Sequence, residues 1–249
     1  MFAMAMAKPN MGGLVVAHEA HSSQHLLKMT RYFYESFWGK AAYPTRHLAV
    51  NQMAWHHINS HIRVATARNE RAGRSQTLQF LHISEAAFFD DAETMMTGLQ
   101  QSVSRRPGTC IFLESTANGI GGYFYNTWQQ AVAGTTAYKP LFYPWWAHPE
   151  YDAEHIGLGY LAEGEFVPAD DEEKALMKFL ARERTVVQGT YPAMTPLQIK
   201  SRLVWRREIL GTECQGDLNK FHQEYPSVPE EAFIATGTNA FDLTRLRRV

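Results

Sequence analysis

The side chains best able to do chemistry stand at the ends of two apolar runs. Leu78-Gln79-Phe80-Leu81-His82-Ile83 ends in Ser84-Glu85, and Cys110-Ile111-Phe112-Leu113 ends in Glu114-Ser115-Thr116-Ala117-Asn118-Gly119. A strand-end carboxylate such as Glu85 can position and polarise water for in-line attack on a γ-phosphate. The Ser84 hydroxyl can hold a metal-bound water but brings no charge to magnesium. Ser115, Thr116 and Asn118 offer hydrogen bonds to a γ-phosphate, and Gly119 lets the backbone turn tightly. Buried strands ending this way fit neighbouring strands of a nucleotide-hydrolysing sheet, in which ligands sit outside the carboxyl ends. No G-x-x-x-x-G-K-[ST] phosphate loop occurs in the 249 residues. Plainer readings stay open beside these. Glu85 can be a solvated strand-end acid, and Thr116 or Asn118 can cap the next helix.

Three arginines invite a phosphate or DNA role: Arg74 in Gly73-Arg74-Ser75, and Arg206 with Arg207 beside Trp205. A solvated loop or helix face accounts for each equally simply. His18, His21 and His25, and His56, His57 and His61, have spacings that can bind zinc on a helix. No H-E-x-x-H pattern or nearby cysteine supports that, so no structural metal is expected. Trp38, Phe88, Phe89, Tyr123, Phe124, Trp128, Trp145 and Trp146 read as core rather than as base-stacking platforms.

The elements that must position these groups alternate. Gly13–Ala17, Ile62–Ala67, Leu78–Ile83 and Cys110–Leu113 read as strands. Leu26, Met29, Phe33 and Phe37 mark an amphipathic helix. Asp91 is placed to cap a helix carrying Met95, Met96, Leu99 and Val103, and Ile120–Val132 forms another. Pro140–Pro144 reads as an edge strand because of its prolines. Strands alternating with helices predict a mainly parallel α/β sheet. After Trp146 the pattern changes: an exposed acidic excursion over 150–173, a helix over Asp171–Arg184, a helix opened by Thr195-Pro196, and a polar connector over Phe221–Ala232.

Composition sets the frame. The chain is 45% hydrophobic and 20% charged, an ordinary globular balance. Its two cysteines make no disulfide framework. No stretch reaches the length of a membrane span, and the apolar start lacks the basic region of a signal peptide. The net charge of -1 hides a division: an acidic segment at 150–173, without Lys or Arg, lies between two mildly basic regions.

Several phrases, taken in order, resemble the large terminase subunit of tailed double-stranded DNA bacteriophages, an ATP-driven genome-packaging motor. They are Leu14-Val15-Val16-Ala17-His18, Gly73-Arg74-Ser75, Leu81–Phe88, Glu114–Gly119, Phe142-Tyr143-Pro144-Trp145-Trp146 and Gln223–Phe233. The resemblance implies an α/β, mainly parallel P-loop-NTPase-type (ASCE-like) sheet flanked by helices and incomplete at its amino-terminal side. Residues 1–149 would be a partial ATPase core. Residues 150–249 would be a mostly helical lid and linker, running through Asn239-Ala240-Phe241-Asp242 toward a nuclease domain absent from this chain. Glu85 takes the place of the water-activating acid, Ser84 that of an acidic magnesium ligand, and Ser115-Thr116-Ala117-Asn118-Gly119 that of the coupling motif. The implied cofactors are ATP and Mg²⁺. The implied partners are double-stranded DNA, the portal protein, the small terminase subunit and further copies in a homo-oligomeric ring, in the cytoplasm of an infected or lysogenic bacterial host. The missing phosphate loop and nuclease favour a fragment. The alternative is a non-catalytic interaction module or inactive prophage remnant that pairs with a separate P-loop polypeptide. A helicase-like motor shares the strand-end motifs, but the Pro-rich connector argues against it.

Overall fold

The computed structural model describes residues 2–45, 47–67 and 77–233, which divide into two compact units. Arg74 and Asn239–Asp242 lie outside the described residues. The first unit comprises residues 1–115 and 122–124, and the second takes the rest.

In the first unit, helix α1 (Phe2–Ala7) leads into strand β1 (Gly12–Ala17), helix α2 (Ala20–Ser36), strands β2 (His47–Ala49), β3 (Gln52–Trp55), β4 (Ser60–Thr66) and β5 (Phe80–Ser84), helix α3 (Ala92–Ser102) and strand β6 (Cys110–Glu114). They form one six-stranded sheet in the order β2-β3-β4-β1-β5-β6. β4, β1, β5 and β6 run parallel, while β2 and β3 join antiparallel beyond β4. This is the predicted mainly parallel α/β sheet, with an antiparallel β2–β3 pair that the sequence did not signal. β1 is buried along its whole length, as a central parallel strand must be when helices cover both faces. One core layer gathers Leu14, Val16, Leu81, Ile83, Met96 and Leu99. A second gathers Val15, Leu27, Met53, Trp55 and Ile62.

Register fixes the useful end of the sheet. Ala17 pairs with Ser84 and Ser84 with Glu114, so the carboxyl ends of β1, β5 and β6 stop level. Asp91 caps α3 as expected, accepting from the Thr94 N–H at 3.2 Å.

Two local expectations fail in this unit. α2 buries Ser23, Leu27 and Thr30, while Met29 and Phe33 are exposed. Its buried stripe is thus rotated from the predicted one, because Ser23 and Thr30 satisfy their hydroxyls on helix carbonyls and lose little by burial. Trp38, read as core, is 94% exposed.

The second unit is mostly helical. Helix α4 (Gly122–Val132) starts among the last residues of the first unit and continues here. Then follow α5 (Gly159–Glu163), α6 (Asp171–Leu180), a small hairpin of β7 (Arg184–Val186) and β8 (Gly189–Tyr191), α7 (Pro196–Thr212), α8 (Leu218–Glu224) and α9 (Pro229–Ala232). Thr195 and Gln198 close a capping box at the start of α7, with Pro196 in its first turn. The core packs Trp145, Trp146, Leu180, Leu203, Trp205 and Phe221. Trp145 and Trp205 stack at 5.3 Å, and both tryptophan N–H groups of the 145–146 pair end on Ser227.

Pro140–Pro144 is not a strand. Its prolines cannot donate, and the Phe142 N–H and carbonyl bond the Gln188 side chain at 3.0 and 3.1 Å instead of a neighbouring strand. The predicted connector over 221–232 contains α9 and the end of α8. The helix predicted to reach Arg184 ends at Leu180, and Arg184 opens the hairpin.

Candidate active site at the carboxyl ends of β5 and β6

The chain leaves β5 through an unusual residue. Glu85 has φ 62° and ψ 40°, a left-handed conformation that costs a non-glycine residue about 1–2 kcal/mol. Such strain persists where surrounding contacts over-determine it, and it collects at functional sites. The backbone then makes a single 3₁₀ turn over Ala86–Phe88. Together these hold Glu85 half-buried at the mouth of the sheet.

The second carboxylate belongs to Glu114, directly opposite Ser84 in register. His82 Nε2 lies 3.1 Å from Glu114 Oε1, and the Ser84 hydroxyl and the Glu85 backbone N–H also bond this carboxylate. Partial burial alone would push the Glu114 carboxyl up. The three hydrogen bonds and the nearby imidazole outweigh it and hold the group below the usual glutamate range, in its charged form. Ser84 is buried and its hydroxyl is turned to Glu114. Ser115, the next residue on β6's side, accepts the Ala87 N–H at 3.1 Å. The loops leaving β5 and β6 are therefore tied together twice, through Glu114 and through Ser115. His18, at the end of β1, stacks on Phe89 with ring centroids 6.4 Å apart. It thereby joins the same mouth.

The predicted motif Ser115–Gly119 is divided between the units, since only Ser115 belongs to the first. In the second unit the Ala117 carbonyl accepts from Gln223 Nε2 at 3.0 Å, Asn118 is exposed, and Gly119 takes φ 74°. That φ is open to glycine at little cost, which explains the residue type.

Arg206 and Arg207 lie on α7 in the second unit. Arg206 is 3% exposed and ion-pairs with Glu172. Arg207 holds Glu173 through Nε at 2.8 Å and Nη2 at 2.6 Å. His222 Nε2 completes the group, 3.2 Å from Glu172 Oε1. Burial alone would raise both glutamates. The His222 hydrogen bond on Glu172, the Arg207 hydrogen bond on Glu173 and the neighbouring positive charges hold them below their ordinary range instead.

What the strand-end site can do follows from its donors. Two acidic groups and hydroxyls at one mouth suit water positioning and a hydrated magnesium ion, which favours carboxylate oxygens and keeps several waters. Glu114 brings the charge that Ser84 lacks. The triphosphate itself needs a cradle of backbone N–H groups, and Gly12-Gly13 does not form one. Both glycines lie within β1, and a Cβ on Gly12 would meet the Thr77 carbonyl at 3.2 Å. Among the described residues no group of three or more His, Cys, Asp or Glu side chains could hold a metal ion by itself.

No protein-family model matches the chain, and no curated protein matches it. Among solved structures, a mutant of the large terminase ATPase domain of Thermus phage P74-26 is similar at 12% identity and a TM-score of 0.49, with 91% of this chain and 80% of that chain covered. The same ATPase domain in another structure gives 12% identity, a TM-score of 0.45 and coverage of 94% and 80%.

Proposed function

We propose that this chain supplies the water-activating half of a nucleotide-hydrolysing site in a DNA-packaging motor of the large-terminase type. The observation that carries the reading is the strained Glu85 held beside Glu114 at the level carboxyl ends of two adjacent parallel strands. The ordered phrases that resemble the terminase family support it from the sequence. In this reading the Glu85 carboxylate orients water for in-line attack on the γ-phosphate of ATP and accepts its proton. Glu114 carries the charge that a magnesium-bound water needs, and His82 and Ser84 hold it in place. Magnesium, when bound, neutralises charge on the phosphate oxygens. Ser115 links the two loops, so a change at Glu85 reaches the segment running into Thr116–Gly119.

No phosphate-loop motif occurs in the 249 residues, so this reading requires a cradle supplied elsewhere in the assembly. The interaction-module reading shares this feature and has its own support. β6 is an edge strand, paired on one side only among the described residues, and Phe112 on it is 49% exposed. An apolar unpaired edge is a template for another strand. Duplex DNA, the portal, the small subunit and a ring of copies are the partners of the complete motor.

The test is hydrolysis in an assembly that supplies the phosphate loop. Glu85→Gln keeps the shape and removes the base, and is expected to lower turnover by at least a hundredfold, a usual scale for loss of a general base. Glu114→Gln is expected to raise the magnesium concentration needed for half-maximal turnover. Unchanged turnover in Glu85→Gln would refute the assigned role.

A further inference from the structure

A groove of about 340 Å³ lies in the second unit, between the segment that carries α5 and the middle of α7. Its apolar lining is Leu158, Leu161, Phe166, Val167 and Val204. Of these only Val204 is buried; Leu161 is 46% and Val167 69% exposed. Single apolar side chains are ordinary on a surface, but these share one concave wall. Its rim is acidic. Glu165 and Glu208 line the groove, and Glu163 closes α5 two residues before Glu165. All three are exposed, and their carboxylates make no hydrogen bond or ion pair among the described residues. The Arg207 charge at this groove is already committed. Its guanidinium holds Glu173 and the Val167 carbonyl and lies 4.3 Å from the centre of the Phe166 ring. Lys200 donates to the Gly164 carbonyl at 2.8 Å. Three unpaired acids against that one ammonium leave the rim negative.

The same chain carries a segment of the complementary pattern. Residues 234–249 lie outside the described residues and follow Phe233, whose ring packs on Tyr125 and Trp128 of α4. In sequence, Leu243, Leu246 and Val249 are spaced three apart, Arg245, Arg247 and Arg248 stand among them, and Asp242 is the segment's only acid. Apolar residues at such spacing are the kind that fill a groove of this sort. Arginines between them complement an acidic rim and fix the register. A chain of this length extends to about 50 Å, enough to reach any face of a unit whose radius of gyration is about 14 Å.

We infer that residues 240–249 dock in this groove, with Leu243 and Leu246 on the apolar wall and the three arginines against Glu163, Glu165 and Glu208. The contact is a salt-sensitive latch that ties the chain leaving α9 to α7. It lies within the second unit and does not rest on the hydrolytic reading.

The test uses the full chain with a benzophenone photo-cross-linking residue in place of Leu246, irradiated without nucleotide or DNA and mapped by mass spectrometry of the digest. The expected product is a link within one chain to residues 158–167 or 204–208. Glu165→Lys with Glu208→Lys is expected to lower its yield at least fivefold near 50 mM salt, and raising salt to about 500 mM should do the same to the parent. Adding Arg245→Glu, Arg247→Glu and Arg248→Glu to the lysine pair is expected to restore the yield at low salt. Glu183→Lys, at an exposed acid of the same unit outside the groove lining, should leave it unchanged. Four results would overturn the inference. One is no link, or a link to other residues. Another is a product of twice the chain's mass, which would give the groove to a second copy. The third is a yield unchanged in the lysine pair, or lowered as far by Glu183→Lys, in variants that melt like the parent. The last is a loss that the reversed arginines do not restore. None of these outcomes bears on Glu85, whose role is read from hydrolysis.

Discussion

Replacing Glu85 by glycine is expected to stabilise the protein while destroying its proposed chemistry. At φ 62° and ψ 40° an L-residue bears a cost of about 1–2 kcal/mol that glycine avoids. Glycine gives back about 0.5–1 kcal/mol through the greater freedom of the unfolded chain. The balance is a gain of about 0.5–1 kcal/mol. Glu85→Ala keeps the Cβ and therefore the strain, so it is expected to fall at or below the parent. Urea unfolding separates the three proteins. With a slope of about 2–3 kcal/mol per molar, the glycine variant should unfold at a midpoint about 0.3 M higher, with the slope unchanged. A glycine variant less stable than the alanine variant would show that the left-handed turn stores no strain. The argument that Glu85 is held there for function would then lose its physical basis.

Other outcomes follow from the second unit and from the carboxylates. Glu173 is 1% exposed and takes the Ala169 N–H at 2.8 Å as well as the Arg207 fork. Glu173→Gln is expected to cost about 1–3 kcal/mol, because the buried side chain loses the charge that the half-exposed Arg207 fork holds, while the buried Arg206 keeps Glu172; a denaturation midpoint equal to the parent's would contradict this. Ser227→Ala leaves the buried Trp145 N–H without its acceptor at 3.0 Å and should cost about 1–3 kcal/mol in the same assay. The carboxyls of Glu114, Glu172 and Glu173 all sit below their ordinary range in the folded state. Their contribution is therefore present above the unfolded carboxylate range and is lost as pH falls through the folded values. Melting temperature should drop on acidification below about pH 5, and Glu172→Gln with Glu173→Gln should flatten that drop; an equally steep profile in the double variant would be the contrary result.

The four parallel strands were legible because they are short apolar runs bounded by Gly, Pro and polar residues, and two helices because Asp91 and Thr195-Pro196 announce them. Glu85 was legible as the acid closing the β5 run. Glu114 and His82 were not singled out, since each is one polar residue beside an apolar strand. Their meeting depends on the β5–β6 register, which places residues 32 apart in contact. The same blindness applies to Arg206-Arg207. As a basic pair on a helix they read as a phosphate-facing surface, and nothing local signals that Glu172 and Glu173, 34 residues earlier, fold onto them. The left-handed backbone at Glu85 had no sequence mark either, because glutamate is not a residue type that seeks it. The Pro140–Pro144 segment fails for a different reason. Its composition suited an edge strand, but the Gln188 side chain offered its backbone both a donor and an acceptor.

The most direct measurement is magnesium-dependent ATP hydrolysis, with and without duplex DNA, by this chain alone and by the chain joined to the polypeptide encoded immediately upstream, each with its Glu85→Gln counterpart. The account predicts no turnover by the chain alone, turnover by the joined form, and loss of that turnover in Glu85→Gln. Folded proteins that hydrolyse ATP in neither form, or a joined form as active with glutamine at position 85 as with glutamate, would contradict it.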